Sequence, residues 1–378
     1  MKSILTLLMV FATAACAAGP RARDLGVPFE GVPGPLNAIT DVAGVTVGHT
    51  TLIEDLPDGH KVRTGVTAIL PRGRGSLLQP VFAATHILNG AGELTGAAWV
   101  EESGMLDGPV MLTNTHSVGT VHEAVISWRV RQGPPDASGY WWSTPVVGEA
   151  WDGDLNDING FHVKPGHVFE ALETAAGGPV AEGNVGGGTG MICHEFSCGI
   201  GTSSRRVTID GRVYTIGALV MANHKIRRTL RIAGVPVGLE LPEESDAARK
   251  ETGSIIIVVA TDAPLLPHQL RRVAKRIGLG LARVGSFAAE GSGDSFIAFS
   301  TANHPAPGGG SLKSAEYLDN SVLNAALEAT VWVTEEAIVN ALVAGRDMEG
   351  EGGHRSQALP HDKLVELLKR YNRWSPPR

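Results

Sequence analysis

Residues 250–260 read Lys-Glu-Thr-Gly-Ser-Ile-Ile-Ile-Val-Val-Ala, and they join two stretches of opposite character. Upstream, residues 241–253 are rich in charged side chains, which predicts an exposed loop. Residues 255–260 form a continuous apolar, largely β-branched run, which predicts a strand buried on both faces. Ser254 therefore lies directly after a glycine, at the point where an exposed loop enters the core.

Strands and helices are predicted on both sides of this junction. Short β-branched runs at residues 45–47 and 66–70 indicate strands, and alternating residues on both sides of Asp210-Gly211 predict a hairpin with a type I′ turn. Helices are predicted at residues 116–130, 267–284, 324–342 and 362–371, with a further strand at 296–300. Because both kinds of element occur in each half, one packed α/β layer structure is favoured over two independent domains.

The composition is that of a folded globular protein. Of 378 residues, 43% are hydrophobic and 19% are charged, which excludes intrinsic disorder. The 48 glycines follow no collagen period and predict many tight turns and close backbone approaches. A net charge of −7 without any basic block argues against nucleic acid as a partner.

The first 18 residues have the pattern of an export signal. Lys2 precedes an apolar run over residues 4–12 and a small-residue segment that contains the A-x-A cleavage site Ala15-Cys16-Ala17. The run is too short to span a bilayer, which takes about 20 residues. We expect a signal peptide over residues 1–18 and a periplasmic mature protein. Thr-Ala-Ala-Cys also half-resembles a lipoprotein box, so a lipid anchor at Cys16 stays open.

Three cysteines exclude a disulfide scaffold. Cys193 and Cys198 could form a disulfide in an oxidising compartment or be two small buried residues, and the second alternative is favoured. The usual hydrolase and zinc-protease motifs are absent, and the thirteen histidines show no ligand spacing, so we expect no metal and no cofactor. The glycine run at residues 186–190 lacks a following Gly-Lys-Ser/Thr and predicts a structural loop.

The Gly253–Ser254 junction suits an N-terminal nucleophile made by self-cleavage. If this bond were cut, Ser254 would begin a new chain, and its α-amino group, with an ordinary pKa of about 7.7–8.0, could accept the proton of its own hydroxyl. Gly253 tolerates strained backbone conformations, and its bare Cα lets the hydroxyl approach the preceding carbonyl. An ordinary strand start after a glycine is the alternative.

The sequence resembles the family of self-processing L-aminopeptidase/D-esterases and β-peptidyl aminopeptidases. The resemblance covers about residues 35–345 and rests on the blocks NAITDV (37–42), TNTHSVG (113–119), GGGTGM (186–191), RIAGVPVG (231–238), GSII (253–256), ATDAPLL (260–266) and GSGD (291–294). It implies a precursor that cuts itself into an α chain, residues 19–253, and a β chain, residues 254–378. Together these would form one four-layer αββα sandwich, similar to N-terminal-nucleophile hydrolases but with different connectivity, within a homo-oligomer of heterodimers.

Roles for individual residues also come from this resemblance. Ser254 is implied as the nucleophile and Asn223 as the oxyanion-hole donor, while Ser292 and Asp294 match the pair beside the nucleophile's amine. Some family members carry glutamate in place of Asp294. The remaining implied residues bind substrate: Glu149 would bind its free amine, and Trp151 stands where some relatives have tyrosine.

Structural roles stay open for the same residues. Ser292 and Asp294 could shape a glycine turn, and Asn223 could be a strand-end amide. Glu149 could be a solvated loop carboxylate and Trp151 part of the core. His116 and His224 are expected to make hydrogen bonds in the core.

The implied reaction releases the N-terminal residue of short peptides, amides or esters with a free amine, through an acyl-enzyme on Ser254. β-Amino acids are the favoured residues, and release of L-residues or of D-alanyl esters and amides is the alternative. Acyl transfer to an amine, as in the related ornithine acetyltransferases, is more remote because those enzymes cleave themselves at a threonine. A third class, an uncleaved binding or scaffold protein, predicts a single band on a denaturing gel.

Overall fold

The structure, a computed structural model, describes residues 19–133, 138–241, 253–303 and 311–377. The predicted signal peptide and residues 242–252 of the predicted exposed loop lie outside the described residues. The strands are β1 Thr46–Asp55, β2 Lys61–Arg74, β3 Val81–Gly90, β4 Met105–Leu106, β5 Val110–Asn114, β6 Val146–Ala150, β7 Ile192–Cys193, β8 Phe196–Ser197, β9 Ile200–Ile209, β10 Arg212–Ala222, β11 Ser254–Thr261, β12 Gly293–Ser300, β13 Met348–Glu349 and β14 Arg355–Ser356. The α-helices are α1 Ala97–Ser103, α2 Val118–Arg131, α3 Pro165–Glu173, α4 Val237–Glu240, α5 Pro267–Arg283, α6 Asn324–Val343 and α7 His361–Arg370.

Two sheets contain most of the strands. One has four strands in the order β1-β2-β5-β6, and the other has six in the order β4-β3-β12-β11-β10-β9. β11 lies inside the six-stranded sheet, antiparallel to β10 and parallel to β12, and all of its residues are buried. The prediction of a strand buried on both faces is therefore confirmed. The two strands that follow the Gly253–Ser254 junction, β11 and β12, lie between β3 and β10, which precede it, so the two predicted chains share one core.

Helices cover the outer face of each sheet. α5 and α6 pack on β3, β9, β10 and β12, whereas α2 and α3 pack on the four-stranded sheet. The inner faces meet where Gly148 of β6 lies against Ile256 of β11; a Cβ on Gly148 would come within 2.9 Å of the Ile256 side chain. A separate apolar cluster fills the space between the four-stranded sheet and its helices. The layer order is αββα, as predicted.

The predicted local elements are found with small shifts. The hairpin joins β9 to β10 through Asp210 and Gly211, whose φ values are 53° and 76°, as a type I′ turn requires. The helix expected from residue 116 begins at Val118, after a 3₁₀ turn at Thr115–Ser117. Within the described ranges, no helix has the length and apolar character needed to cross a membrane.

Cys193 and Cys198 are joined by a disulfide, with Cα atoms 5.7 Å apart. The favoured expectation of two separate buried cysteines is therefore wrong. The bond closes the β7–β8 hairpin, whose turn residues His194 and Glu195 have φ values of 46° and 62°. Type I′ turns usually contain Gly or Asn, and neither is present here, so the turn that brings the two sulfurs together has no sequence signal.

Candidate active site

The predicted nucleophile and the predicted oxyanion donor lie opposite each other on neighbouring strands. Ser254 begins β11, and Asn223 directly follows the end of β10. The Asn223 N–H donates to the Ser254 carbonyl at 2.9 Å, and the Ser254 N–H donates to the Asn223 carbonyl at 3.3 Å. Directly opposed residues of an antiparallel pair point their side chains to the same face, with Cβ atoms about 4.5–5.5 Å apart. Strand register therefore brings these two side chains together.

β12 supplies the next group of residues, because Gly293 pairs in register with Ser254. The Gly293 N–H donates to Ser254 Oγ at 3.3 Å and to the Gly253 carbonyl oxygen at 3.2 Å. On either side of this glycine, Ser292 Oγ donates to Asp294 Oδ1 at 3.0 Å. Both side chains are buried, so the predicted pair lies beside the backbone of Ser254.

The glycine before the serine has a steric role. A Cβ on Gly253 would lie 2.8 Å from His224 Cα and 3.0 Å from the Asn223 carbonyl oxygen. Its φ lies outside the left-handed region, so conformational strain is not the reason for glycine at this position. Only a bare Cα lets the chain pass this close to the strand that carries Asn223.

Glu149 faces this group from the other sheet. It lies on β6 and is 3% exposed, so the alternative of a solvated loop carboxylate does not describe it. Its Oε1 accepts the Glu93 N–H at 3.0 Å and its Oε2 accepts the Thr115 hydroxyl. Burial raises the pKa of the Glu149 carboxyl, and these two hydrogen bonds oppose the rise. A Cβ on Gly92 would lie 3.0 Å from Glu149 Oε1 and 3.1 Å from Gly293 Cα, so Gly92 lies between the carboxylate and β12 and has room for no side chain.

The Asn223 side chain is held in one orientation. Its Oδ1 accepts the Ile192 N–H at 2.9 Å, and its Nδ2 donates to the Trp151 carbonyl at 2.7 Å. An amide nitrogen carries two hydrogens, and the second makes no hydrogen bond within the described residues. That hydrogen is available to a substrate oxygen.

Three aromatic rings form a row that begins with Trp151, the residue whose carbonyl accepts from Asn223 Nδ2. The half-buried Trp151 ring lies edge-on to His116 at 5.7 Å, and His116 stacks on Phe161 at 5.9 Å. The expected core hydrogen bonds of His116 and His224 are not found: Nδ1 of His116 and both ring nitrogens of His224 have no hydrogen-bond partner in the part of the chain that the structure describes. Sequence reasoning missed Phe161 and Thr115, which become neighbours of the site only through folding. Across the residues that the structure describes, no three His, Cys, Asp or Glu side chains form a group that could hold a metal ion.

Residues 37–356 match the sequence profile of peptidase family S58. The chain belongs to peptidase family S58. The β-peptidyl aminopeptidase BapA of Sphingosinicella microcystinivorans is 53% identical to it over 384 residues, which cover 97% of this chain and 96% of that protein. The β-peptidyl aminopeptidase BapA of Sphingosinicella xenopeptidilytica is 48% identical and covers 97% of this chain and 95% of its own length.

Solved structures agree with this assignment. The structure of the L-aminopeptidase D-Ala-esterase/amidase of Ochrobactrum anthropi matches this chain with a TM-score of 0.89 and 47% identity. The match covers 94% of this chain and 100% of that one. That enzyme is described as a prototype for the serine aminopeptidases and a new variant of the Ntn-hydrolase fold. A β-aminopeptidase of Burkholderia sp. has a TM-score of 0.86 and 47% identity, covering 93% of this chain and 99% of its own. The S58 chain is thus an aminopeptidase with the variant N-terminal-nucleophile hydrolase fold, and the family resemblance read from the sequence is confirmed.

Proposed function

We propose that this S58 peptidase is a self-cleaving serine aminopeptidase that releases the N-terminal residue of short peptides, amides or esters through an acyl-enzyme on Ser254. One observation carries the proposal. The Gly293 N–H donates both to Ser254 Oγ, at 3.3 Å, and to the carbonyl oxygen of Gly253, at 3.2 Å. The hydroxyl and the carbonyl of the bond to be cut therefore share one donor and lie side by side.

This geometry supports the self-cleavage step of the proposal. Ser254 Oγ attacks the carbonyl carbon of Gly253, and the oxyanion that forms on the Gly253 oxygen is stabilised by the Gly293 N–H. The C–N bond then breaks and the Ser254 nitrogen takes up the proton, which leaves Gly253 joined to Oγ as an ester. Water hydrolyses the ester and releases the Gly253 carboxylate and a free amino-terminal Ser254.

In turnover, the α-amine of Ser254 accepts the proton of its own hydroxyl, and Oγ attacks the substrate carbonyl. The second hydrogen of Asn223 Nδ2 donates to the new oxyanion, a contact worth about 3–4 kcal/mol of barrier. The leaving amine or alcohol takes the proton back, and water then hydrolyses the acyl-enzyme. The Asp294 carboxylate, oriented by the Ser292 hydroxyl, stabilises the ammonium form of the nucleophile's amine.

Glu149 sets where the substrate binds. A buried carboxylate opposite the nucleophile's strand pairs with the substrate's ammonium group, so the bond next to a free amino terminus is the one attacked. Trp151 forms the side of the substrate site next to Asn223. The names of the relatives that are 53% and 48% identical favour β-amino acids as the released residue, while the L-aminopeptidase D-Ala-esterase/amidase supports the alternative.

Export to the periplasm is part of the proposal. It is supported by the signal pattern of residues 1–18 and by the Cys193–Cys198 disulfide, which persists in an oxidising compartment. The assembly into a homo-oligomer of heterodimers, a partnership of the enzyme's own α and β chains, is proposed from the family resemblance alone.

The experiment that tests the reaction compares β-alanyl, L-alanyl and D-alanyl anilides at equal concentration. We expect the β-alanyl anilide to be hydrolysed fastest, and Ser254→Ala to hydrolyse none. The matched control is Ser203→Ala, which removes another buried serine hydroxyl, one that donates to the Val333 carbonyl at 2.7 Å; it should keep wild-type activity. Hydrolysis by Ser254→Ala at the wild-type rate would refute the proposed nucleophile, and a preference for the L-alanyl or D-alanyl substrate would favour the alternative specificity.

A further inference from the structure

The segment of residues 192–198, which we call the disulfide hairpin, lies against the segment that carries Asn223. The Ile192 N–H donates to Asn223 Oδ1 at 2.9 Å, and the next residue is Cys193. The sulfurs of Cys193 and Cys198 lie 3.2 Å and 3.0 Å from the carbonyl oxygen of Ala222, the residue before Asn223. The disulfide is thus one residue away from the contact that orients the Asn223 amide.

The tip of the disulfide hairpin is fastened to the residues that follow Asn223. The His194 N–H donates to the His224 carbonyl at 2.6 Å, and Nδ1–H of the His194 ring donates to the Ile226 carbonyl at 2.8 Å. Arg227 Nη2 donates to the Glu195 carbonyl at 2.9 Å. The hairpin and residues 222–227 therefore form one connected unit, closed at its base by the covalent bond.

The hairpin needs such fastening because its turn is unfavourable for its residues. His194 and Glu195 both have positive φ, at 46° and 62°, which residues with a Cβ rarely adopt. Without the bond between Cys193 and Cys198, the base of the hairpin would be held only by the two residue pairs of β7 and β8, by the Cys198 N–H on the Met191 carbonyl at 3.2 Å and by the Ser197 N–H on the Gln357 carbonyl at 2.8 Å. A two-stranded hairpin of this size is marginal in stability when nothing else closes it.

The orientation of the Asn223 amide matters for the chemistry. With Oδ1 held by the Ile192 N–H, Nδ2 presents its donor. A flipped amide would present Oδ1, an acceptor, to an oxygen that is becoming negative, which is repulsive. The Ile192 N–H, together with the Trp151 carbonyl that accepts from Nδ2, selects the productive orientation, and the Ile192 contact is the one that the disulfide hairpin supplies.

We infer that the Cys193–Cys198 disulfide is a positioning element of the oxyanion hole, because it holds the Ile192 N–H on Asn223 Oδ1 and so keeps Asn223 Nδ2 turned towards Ser254. This inference rests on the proposed function, in which Asn223 stabilises the oxyanion. A dithiol reductant supplies two electrons and two protons, converts the disulfide to two thiols and is itself oxidised to a disulfide. Reduction should therefore loosen the hairpin without touching Ser254 or Glu149.

The test is a double-mutant cycle on the processed enzyme, in which Cys193→Ala with Cys198→Ala is combined with Asn223→Ala. The cysteine variant should lower kcat about tenfold and change KM less than about twofold, because removal of a whole oxyanion donor lowers kcat about 10²–10³-fold. In the Asn223→Ala background the same cysteine substitutions should leave kcat unchanged. Dithiothreitol should lower kcat of the wild type by the same factor, reversibly on reoxidation, and should not affect the cysteine variant. The reduction experiment uses the wild-type enzyme, so its result does not depend on whether a mutant folds or cleaves itself.

The outcomes separate the inference from the proposed function. Wild-type kcat in Asn223→Ala would remove the oxyanion role, and the inference with it. A kcat loss in Asn223→Ala combined with wild-type kcat in both the cysteine variant and the reduced enzyme would overturn the inference alone. Equal cysteine effects in both backgrounds would also overturn it, because the disulfide would then act on stability or on another part of the site.

Discussion

Replacement of Asn223 by alanine is the most informative single substitution in the site. It removes the amide whose second Nδ2 hydrogen is available to the oxyanion, and it leaves Ser254, Glu149 and the Ser292–Asp294 pair in place. Because a preorganised donor of this kind is worth about 3–4 kcal/mol of barrier, kcat should fall about 10²–10³-fold. KM for a β-alanyl anilide should change little, because the contact strengthens only as charge develops on the substrate oxygen.

The structure also gives the expected effect on stability. Asn223 is fully buried, and its loss leaves the Ile192 N–H and the Trp151 carbonyl without their partner. An unsatisfied buried group costs about 1–3 kcal/mol, so the free energy of unfolding should fall by about 2–6 kcal/mol. Stability and catalysis must therefore be measured separately, the first by urea unfolding and the second as kcat of fully cleaved protein.

Asn184 offers a matched control. It is also buried, its Nδ2 donates to the Thr189 carbonyl at 3.0 Å, and its Oδ1 accepts the Arg346 N–H at 2.8 Å. Asn184→Ala removes the same two kinds of hydrogen bond away from Ser254, so it should lose comparable stability and keep its kcat. If Asn223→Ala and Asn184→Ala lower kcat by the same small factor, Asn223 has no role in the oxyanion hole.

Three further predictions concern charge and pH. Glu149→Gln should weaken binding of substrates with a free amine about 10–100-fold, because a charge-assisted hydrogen bond contributes about 1.5–3 kcal/mol. The same substitution should not affect binding of N-acetylated substrates. An equal loss of binding for both kinds of substrate would contradict amine binding by Glu149. The kcat should rise with pH as the free amine of Ser254, a group whose ordinary pKa is about 7.7–8.0, loses its proton. The kcat/KM should fall at acid pH as the Glu149 carboxyl, whose pKa burial raises, becomes protonated. A kcat that is flat from about pH 6 to 9 would argue against a terminal amine as base. Burial lowers the pKa of His194 to about 4, below the ordinary histidine value of about 6.5, so the unfolded chain binds more protons than the folded protein between those values. His194 should therefore lower the free energy of unfolding by about 1.4 kcal/mol for each pH unit as the pH falls through that window. Equal slopes for wild type and His194→Gln in urea unfolding would refute this.

Much of the fold was predictable because local chemistry dictates it. The continuous, short and β-branched run after Ser254 favours a buried strand, and Asp210-Gly211 supplies the positive φ values of a tight hairpin. Two helices cover the six-stranded sheet: α5 has an apolar face and a charged face, whereas every residue of α6 from 333 to 343 is buried. The strand order of that sheet, with residues on both sides of Gly253 interleaved, depends on pairings between distant segments, which periodicity does not encode.

The site was predictable in part. The Gly253–Ser254 junction stands out in the sequence, but Asn223 lies 31 residues earlier and meets Ser254 only through the register of β10 and β11. Glu149 also depends on tertiary structure: β6 places it in the core, where Thr115 and the Glu93 backbone hold it, although a glutamate beside a glycine suggests an exposed loop. The disulfide was missed because its turn residues carry no hairpin signal.

The most direct measurement of self-activation is the intact mass and N-terminal sequence of purified protein that hydrolyses substrate. A chain that begins at Ser254 and has the mass of residues 254–378, together with a second chain that ends at Gly253, is the expected result. Full activity in protein whose backbone is continuous between residues 253 and 254 would contradict the proposed nucleophile and its amine base together.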